Sequence, residues 1–430
     1  MSHYHLRCPV TSMEFEDDGV MLANPASPRP ALLRAVYERT ALRVRYDLPG
    51  LFRFMDWLPV NRALPGASCP VTWRSAALGP RLGLERLVIT FSGYWPERGA
   101  MMTTGTFKEC EAYAVCARLP AKPRKALVVA SAGNTARAFL KVASEHGIPL
   151  VVVVPAGCLG SLWLEQKPAP WVKVVAAGGD SDYFDAIDLA DRICRIDGFQ
   201  SEGGAKNVAR RDGMGTTALS AATTVNEIPD YYFQAVGSGT GAIAAHEANL
   251  RLNGSGLFTP KTMCLQVSQN TPFLPIYDAW KEGLPATREM DAEEARKNMG
   301  LIDAKVLSNR RPPYGIAGGL YEALSETGGD VIAVTNGEAR QAGRLFEETE
   351  GCDICPEAAV AVASLIKKAR SGEIPAHALV MLNITGGGLA RIQRELNVRP
   401  AAAEAIFTRD EFDGGSLKEF CAETLRQVYD

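Results

Sequence analysis

Short, wholly apolar runs alternate with helix-length segments from Lys125 onward, and few folds accommodate that alternation. Ala126 to Ala130 reads as a strand, Ser131 to Thr135 as a turn, the next segment to about Glu145 as a helix, and Leu150 to Val154 as a second strand. This is a β-α-β unit, and strands with no polar alternation must be covered on both faces, as in a parallel sheet. A strand over Val172 to Ala176 and a helix from about Tyr183 to Ile196 extend the unit, giving an expected small inserted domain over 125–200.

A second series follows. It runs through strand Tyr231 to Val236, helix Ala242 to about Leu252, and strands Met263 to Val267 and Val331 to Thr335, then helix Pro356 to Ala369 and strand Ala378 to Asn383. The expectation is an α/β protein with two open, mostly parallel sheets and helices on both faces. A segment over 1–124 carries the start of the larger domain, 201–397 completes it, and 398–430 forms a polar helical tail. Ligands in such sheets bind beyond the carboxyl ends of strands, so the loops at 131–135, 237–241 and 385–388 mark a site in the cleft between the sheets.

A chain of 430 residues, 47% hydrophobic and 22% charged, can bury two cores. Net charge is -3, with no run of five or more Lys or Arg, so neither nucleic acid nor an anionic membrane is an expected partner. No apolar run approaches the ~20 residues of a membrane span, and the protein is expected in the cytoplasm. Of ten cysteines only Cys352 and Cys355 stand in a Cys-x-x-Cys spacing. Without a second pair or a histidine partner that spacing gives no metal site, and two thiols in a reduced interior is the plainer reading.

Two stretches carry chemistry. In Thr103 to Glu109, Thr106 and Glu109 have capping-box spacing, which predicts a helix from Glu109 to Leu119 with Lys108 at its start. In Gly237-Ser-Gly-Thr-Gly241, between a strand and a helix, the N–H groups of Gly237, Gly239 and Gly241 can cradle a phosphate, helped by the hydroxyls of Ser238 and Thr240. Alone this loop is equally well a turn without a ligand. It lacks Gly-x-Gly-x-x-Gly spacing and a Walker lysine, which argues against dinucleotides and nucleoside triphosphates. A lysine, a compact phosphate cup and Ser131-Ala-Gly-Asn134-Thr135 at a helix start together fit pyridoxal phosphate, held by Lys108 as a Schiff base. Ser131, Asn134 and Thr135 suit an amino-acid carboxylate by the same anion logic.

These segments resemble the threonine synthase branch of the fold-type II pyridoxal-phosphate enzymes, and within it the cysteate synthases of methanogenic archaea. The resemblance runs from Arg7-Cys8-Pro9 to Gly388 and rests on Thr104-Gly-Thr-Phe-Lys108, Ser131 to Thr135, Gly237 to Gly241 and the Phe52-Arg-Phe to Leu58-Pro59 stretch. It implies that Asn134 contacts the pyridine hydroxyl and that Thr385 faces the ring nitrogen. A neutral hydroxyl there leaves the nitrogen largely unprotonated, which suits β-elimination and β-replacement. It also implies small anionic substrates, O-phosphoserine and sulfite, a product cysteate destined for coenzyme M, and a homo-oligomer.

Departures from threonine synthase fall at Asn207 to Thr216, where Arg210 is kept and Gly215 replaces a lysine, and at Cys355-Pro356, where the family has Glu-Pro. Arg210, and less firmly Lys206 or Arg211, is therefore expected to face the substrate's anionic end. Two rivals stay open at this point: a threonine synthase acting on phosphohomoserine, and a non-catalytic α/β ligand-binding protein whose Lys108 is structural.

Overall fold

The computed structural model describes residues 3–131 and 133–429; Ala132, within the Ser131–Thr135 motif, lies outside the described residues. In chain order the strands of its two main sheets are β1 (Val71–Arg74), β2 (Arg86–Phe91), β3 (Ala126–Ala130), β4 (Leu150–Pro155), β5 (Val172–Ala177), β6 (Phe199–Ser201), β7 (Tyr231–Ala235), β8 (Cys264–Asn270), β9 (Asp330–Val334), β10 (Leu379–Ile384) and β11 (Ala405–Phe407). The helices that matter for the site are α1 (Lys108–Arg118), α2 (Asn134–His146), α3 (Tyr183–Cys194), α4 (Val208–Val225), α5 (Thr240–Gly254) and α6 (Pro356–Arg370), with α7 (Gly415–Tyr429) at the end.

The larger sheet has the order β9-β8-β7-β10-β2-β1, parallel except for β1 against β2. The smaller sheet, β6-β3-β4-β5-β11, is parallel throughout. The central strands β4, β5 and β10 are buried along their whole length, which is why they read as apolar runs without polar alternation, broken only by Lys173 on β5 and Asn383 on β10. This is the expected α/β architecture.

The chain is shared between the sheets differently from the linear division. The tail beyond Val398 is more than a polar helix. Ala405–Phe407 adds a fifth strand beside β5, with Val175 opposite Ala405, and α7 packs Leu417 and Cys421 into the same core. Lys173, buried on β5, reaches Glu404 at 3.0 Å, and Arg409 holds Asp185 of α3 at 2.8 Å. A three-residue strand carries too short a pattern to be read, and its pairing with β5, the burial of Phe407 and the flanking ion pairs fix it. Helix α1 is likewise claimed by the smaller domain. Its Cys110, Ala112, Tyr113 and Cys116 pack with Phe52 of the early segment and with Leu127, Phe139 and Val152.

Helices α1, α4 and α5 approach closely through small residues. A Cβ on Gly213 would lie 2.4 Å from the Cys110 carbonyl oxygen, and one on Gly215 would lie 3.2 Å from that of Ala244. Gly215 therefore belongs to the packing of α4 on α5 and is not among the residues lining the cavity.

Candidate active site

Two motifs almost three hundred residues apart are sewn together by their backbones. The Phe107 N–H donates to the Thr385 carbonyl at 2.9 Å, the Gly387 N–H to the Gly105 carbonyl at 3.1 Å, and the Thr106 hydroxyl to the Thr385 carbonyl at 3.3 Å. The glycines after Thr385 permit this approach, since a Cβ on Gly386 would stand 2.8 Å from the Gly105 oxygen. The end of β10 is thereby fixed against the turn that launches α1, and both Lys108 and Thr385 face one cavity.

The expected capping box does not form. Helix α1 begins at Lys108 with Phe107 as its N-cap, and Glu109 reaches back over the turn, where its Oε1 accepts from the Thr104 N–H at 2.7 Å and the Thr104 hydroxyl at 2.8 Å. With Phe107 as N-cap the helix starts one residue later than a Thr106 cap requires, so Glu109 stands at the second helical position, out of register with Thr106. Burial raises the Glu109 pKa, with the Thr104 hydrogen bonds opposing it.

Of the residues named from the sequence as cofactor or substrate contacts, Lys108, Ser131, Asn134, Thr135, Arg210, Gly237 to Gly241 and Thr385 line this cavity, and Lys206 and Arg211 do not. Gly239 takes φ +78°, where a Cβ would meet Leu320 at 2.6 Å, so the loop turns tightly into the start of α5. In the first turn of that helix the Thr240 N–H bonds the Ser238 hydroxyl at 3.3 Å and the Ala242 N–H the Gly239 carbonyl at 3.0 Å, and the helix amino end lies on the cavity as an anion site. Ser238 and Thr240 hydrogen-bond each other at 2.8 Å across the loop. Ser131 Oγ accepts from the N–H groups of Gly133 and Ala136, both at 3.0 Å, leaving its own O–H to donate.

Asn134 is aimed from both sides. Its Oδ1 accepts from Arg137 Nη2 at 3.0 Å, and its Nδ2 donates to Glu357 Oε1 at 2.7 Å. Glu357, at the start of α6, also lines the cavity, and burial raises its pKa against the hydrogen bond from Asn134 and the charges of Arg137 and Lys108. Among the described residues the Thr385 hydroxyl has no hydrogen-bond partner, although the residue is only 4% exposed.

Arg210 departs from expectation. It lines the wall, but Nε donates to Glu202 Oε1 at 2.8 Å, Nη2 pairs with the second Glu202 oxygen, and Nη1 lies 3.1 Å from Glu111 Oε1. Burial alone would weaken its hold on its proton, and the two carboxylates more than reverse this, so the guanidinium stays charged. Its charge is answered inside the protein, and it is not the free substrate-facing cation expected from sequence. Arg211 is wholly buried, bound to Glu247 at 2.9 Å and to the Leu33 and Ala205 carbonyls, and Lys206 is exposed; neither lines the cavity.

The sequence reading missed Glu111, Glu357, Tyr183 and the stretch Val306 to Asn309. Glu111 carried a usable signal: it is an acid flanked by Cys110, Ala112 and Tyr113 on the apolar run of the helix, three residues after Lys108 and so on the same face. Val306 to Asn309 is an irregular loop and carried none. The described residues hold no group of three or more His, Cys, Asp or Glu placed to bind a metal, and no helix long and apolar enough to cross a membrane.

A lysine in the first turn of one helix, a glycine cup at the amino end of another and an uncommitted hydroxyl at a strand end fit an aromatic aldehyde bearing a phosphate. The family model for pyridoxal-phosphate dependent enzymes matches residues 86–386, and the chain belongs to that family. Its cofactor is pyridoxal phosphate. Among curated relatives, the cysteate synthase of Methanocorpusculum labreanum is 47% identical over 92% of this chain and 95% of its own. That of Methanocella paludicola is 48% identical over 85% and 86%, respectively. Of solved structures, maize serine racemase superposes with a TM-score of 0.55 at 16% identity, covering 76% of this chain and 90% of that one. A pyridoxal 5'-phosphate-dependent aspartate racemase gives 0.54 at 16% identity, with 74% and 90% covered, so both show the fold alone.

Proposed function

We propose that this enzyme is a cysteate synthase that replaces the phosphate of O-phosphoserine with sulfite, breaking the Cβ–O bond, forming a Cβ–S bond and supplying cysteate for coenzyme M. The observation that carries the reading is the gathering of Lys108, the Gly237–Gly241 cup and Thr385 on one cavity, in a chain nearly half identical to curated cysteate synthases. When bound, pyridoxal phosphate supplies an electron sink for the carbon from which a proton is removed.

The chain's own residues divide the remaining work. Lys108 holds the cofactor and takes the substrate's α-proton. The amino end of α5 and the hydroxyls of Ser238 and Thr240 would hold the cofactor phosphate, and Asn134, aimed by Arg137 and Glu357, would donate to the ring oxygen. Thr385 would offer the ring nitrogen a hydroxyl, which is too weak an acid to protonate it. Ser131, whose own O–H is left to donate, and the backbone at the start of α2 take the substrate carboxylate, while the Thr135 hydroxyl donates to Glu111 at 2.8 Å. Loop residue Asn309 stands on the same wall, and its side-chain amide N–H groups offer a neutral donor to the departing phosphate and the entering sulfite, while the neighbouring Ser308 hydroxyl donates to the Lys305 carbonyl.

The test has two parts. Borohydride reduction followed by peptide mapping should label Lys108, and label on another lysine refutes the site. The purified enzyme, assembled as a homo-oligomer by sizing, should release phosphate from phosphoserine only with sulfite-dependent formation of cysteate. Efficient threonine formation from phosphohomoserine, with no sulfite-dependent product, would move the chain to the threonine synthases.

A further inference from the structure

Glu111 has no part in the chemistry above, although it sits in the middle of it. It follows Lys108 by one turn of α1, and none of its side chain reaches solvent. A buried carboxylate is tolerated only where its oxygens are answered. Glu111 is answered from three helices: Oε2 accepts from Lys108 Nζ at 3.1 Å, while Oε1 accepts from the Thr135 hydroxyl of α2 at 2.8 Å and faces Arg210 Nη1 of α4 at 3.1 Å.

The charges around it balance in a particular way. Arg210 gives two of its nitrogens to Glu202 and only one to Glu111, so the guanidinium is largely spent on Glu202. The positive charge that completes the pairing of Glu111 is the amine of Lys108. Tyr183, from the start of α3, belongs to the same charge field, and burial pushes its phenol up, so it stays neutral. Cys110, next on α1, is likewise kept a neutral thiol by burial. From α6, Glu357 lies within the field of Lys108 without forming an ion pair. Lys108 Nζ otherwise meets only Met214 Sδ at 3.9 Å and the Phe107 ring, 4.9 Å to its centroid. Among the described residues, Glu111 is thus the one carboxylate within ion-pair reach of that amine.

We propose that Glu111 is a positioning residue for the reaction, a fixed anion that aims the Lys108 nitrogen and pairs with its positive charge while the cofactor is held, with Thr135 and the Arg210–Glu202 pair holding Glu111 in place. This rests on Lys108 as the cofactor-holding lysine. It also accounts for Arg210 without a substrate contact: the guanidinium serves the carboxylate that serves the lysine. A Glu111 present only to neutralise Arg210 would be needed for folding and would leave the proton affinity of the Lys108 nitrogen unchanged.

The experiment uses the cofactor-loaded full chain, without substrate, in wild-type, Glu111→Gln and Glu111→Asp forms. Borohydride mapping first locates the labelled lysine in each. The visible absorbance of the bound cofactor is then followed against pH. With Glu111→Gln the midpoint of its protonation should move to lower pH by about 1–3 pH units, the usual effect of removing an opposite charge at this range. Glu111→Asp, with the charge withdrawn by one methylene, should move it less in the same direction. In the cofactor-free chain, acylation of Lys108 at neutral pH by an uncharged reagent should rise by about 10-fold or more with Glu111→Gln, one pH unit being a factor of ten. Label on Lys108 with an unmoved midpoint overturns the role of Glu111 and leaves Lys108 standing. Label on a different lysine overturns both. Should Glu111→Gln fail to fold, Glu111→Asp carries the test alone, and an unmoved midpoint there also overturns the proposal.

Discussion

Replacing Arg210 with methionine separates a structural cation from a substrate-binding one. The guanidinium joins two carboxylates that are almost completely buried, Glu202 with 4% and Glu111 with 0% side-chain exposure. After Arg210→Met, Glu111 keeps Lys108 and Thr135, but Glu202 keeps only the Gly204 N–H at 3.0 Å. Leaving one partner of a buried pair unanswered costs about 3–5 kcal/mol. That is a large part of the ~5–15 kcal/mol by which a domain is stable. Urea unfolding of the wild type, Arg210→Met, Glu202→Met and the double variant measures the coupling. The double variant should be more stable than Arg210→Met alone, because it removes the orphaned anion, with a coupling of about 0.5–3 kcal/mol. A cation that served the substrate would behave oppositely, with KM rising and stability hardly touched. A cost below about 1 kcal/mol with additive single effects would refute the buried-network reasoning, since such a value belongs to exposed pairs.

Other substitutions probe separate parts of the site. Thr385→Asp should retain the cofactor and alter turnover by placing a carboxylate at the ring nitrogen, and kinetics identical to wild type would show that Thr385 does not touch the ring. Glu357→Gln keeps an acceptor for Asn134 while removing a carboxylate whose pKa burial raises. A raised acid destabilises the fold as pH climbs above its unfolded value of about 4.3, so the variant should melt higher than wild type at pH 7 and lose that advantage near pH 4. A melting difference independent of pH would refute this assignment. Gly213→Ala forces a Cβ to 2.4 Å from the Cys110 carbonyl. Overpacking of this kind costs about 1–3 kcal/mol, measurable by thermal unfolding, and no loss of stability would mean that α1 and α4 can separate freely.

The alternation of apolar strands and helix-length segments already determined a doubly covered parallel architecture, because a strand buried on both faces leaves no room for polar residues. Ser131 to Thr135, Gly237 to Gly241 and Thr385 could be read as site residues for a related reason: a loop at the carboxyl end of a strand that must approach a ligand needs small residues and hydroxyls, and both are visible in order along the chain. What the sequence could not decide was which charge answers which. Arg210 reads as a free cation until α4 brings it against Glu111 and Glu202, and Lys108 reads as a cofactor lysine whose partner carboxylate is unnamed until α1 sets Glu111 beside it. The tail strand Ala405–Phe407 is settled only by its edge against β5 and the ion pair of Lys173 with Glu404. Hydrophobic period and turn chemistry are local and survive in one dimension. Charge pairing depends on distances between segments remote in sequence, and those exist only once the helices have packed.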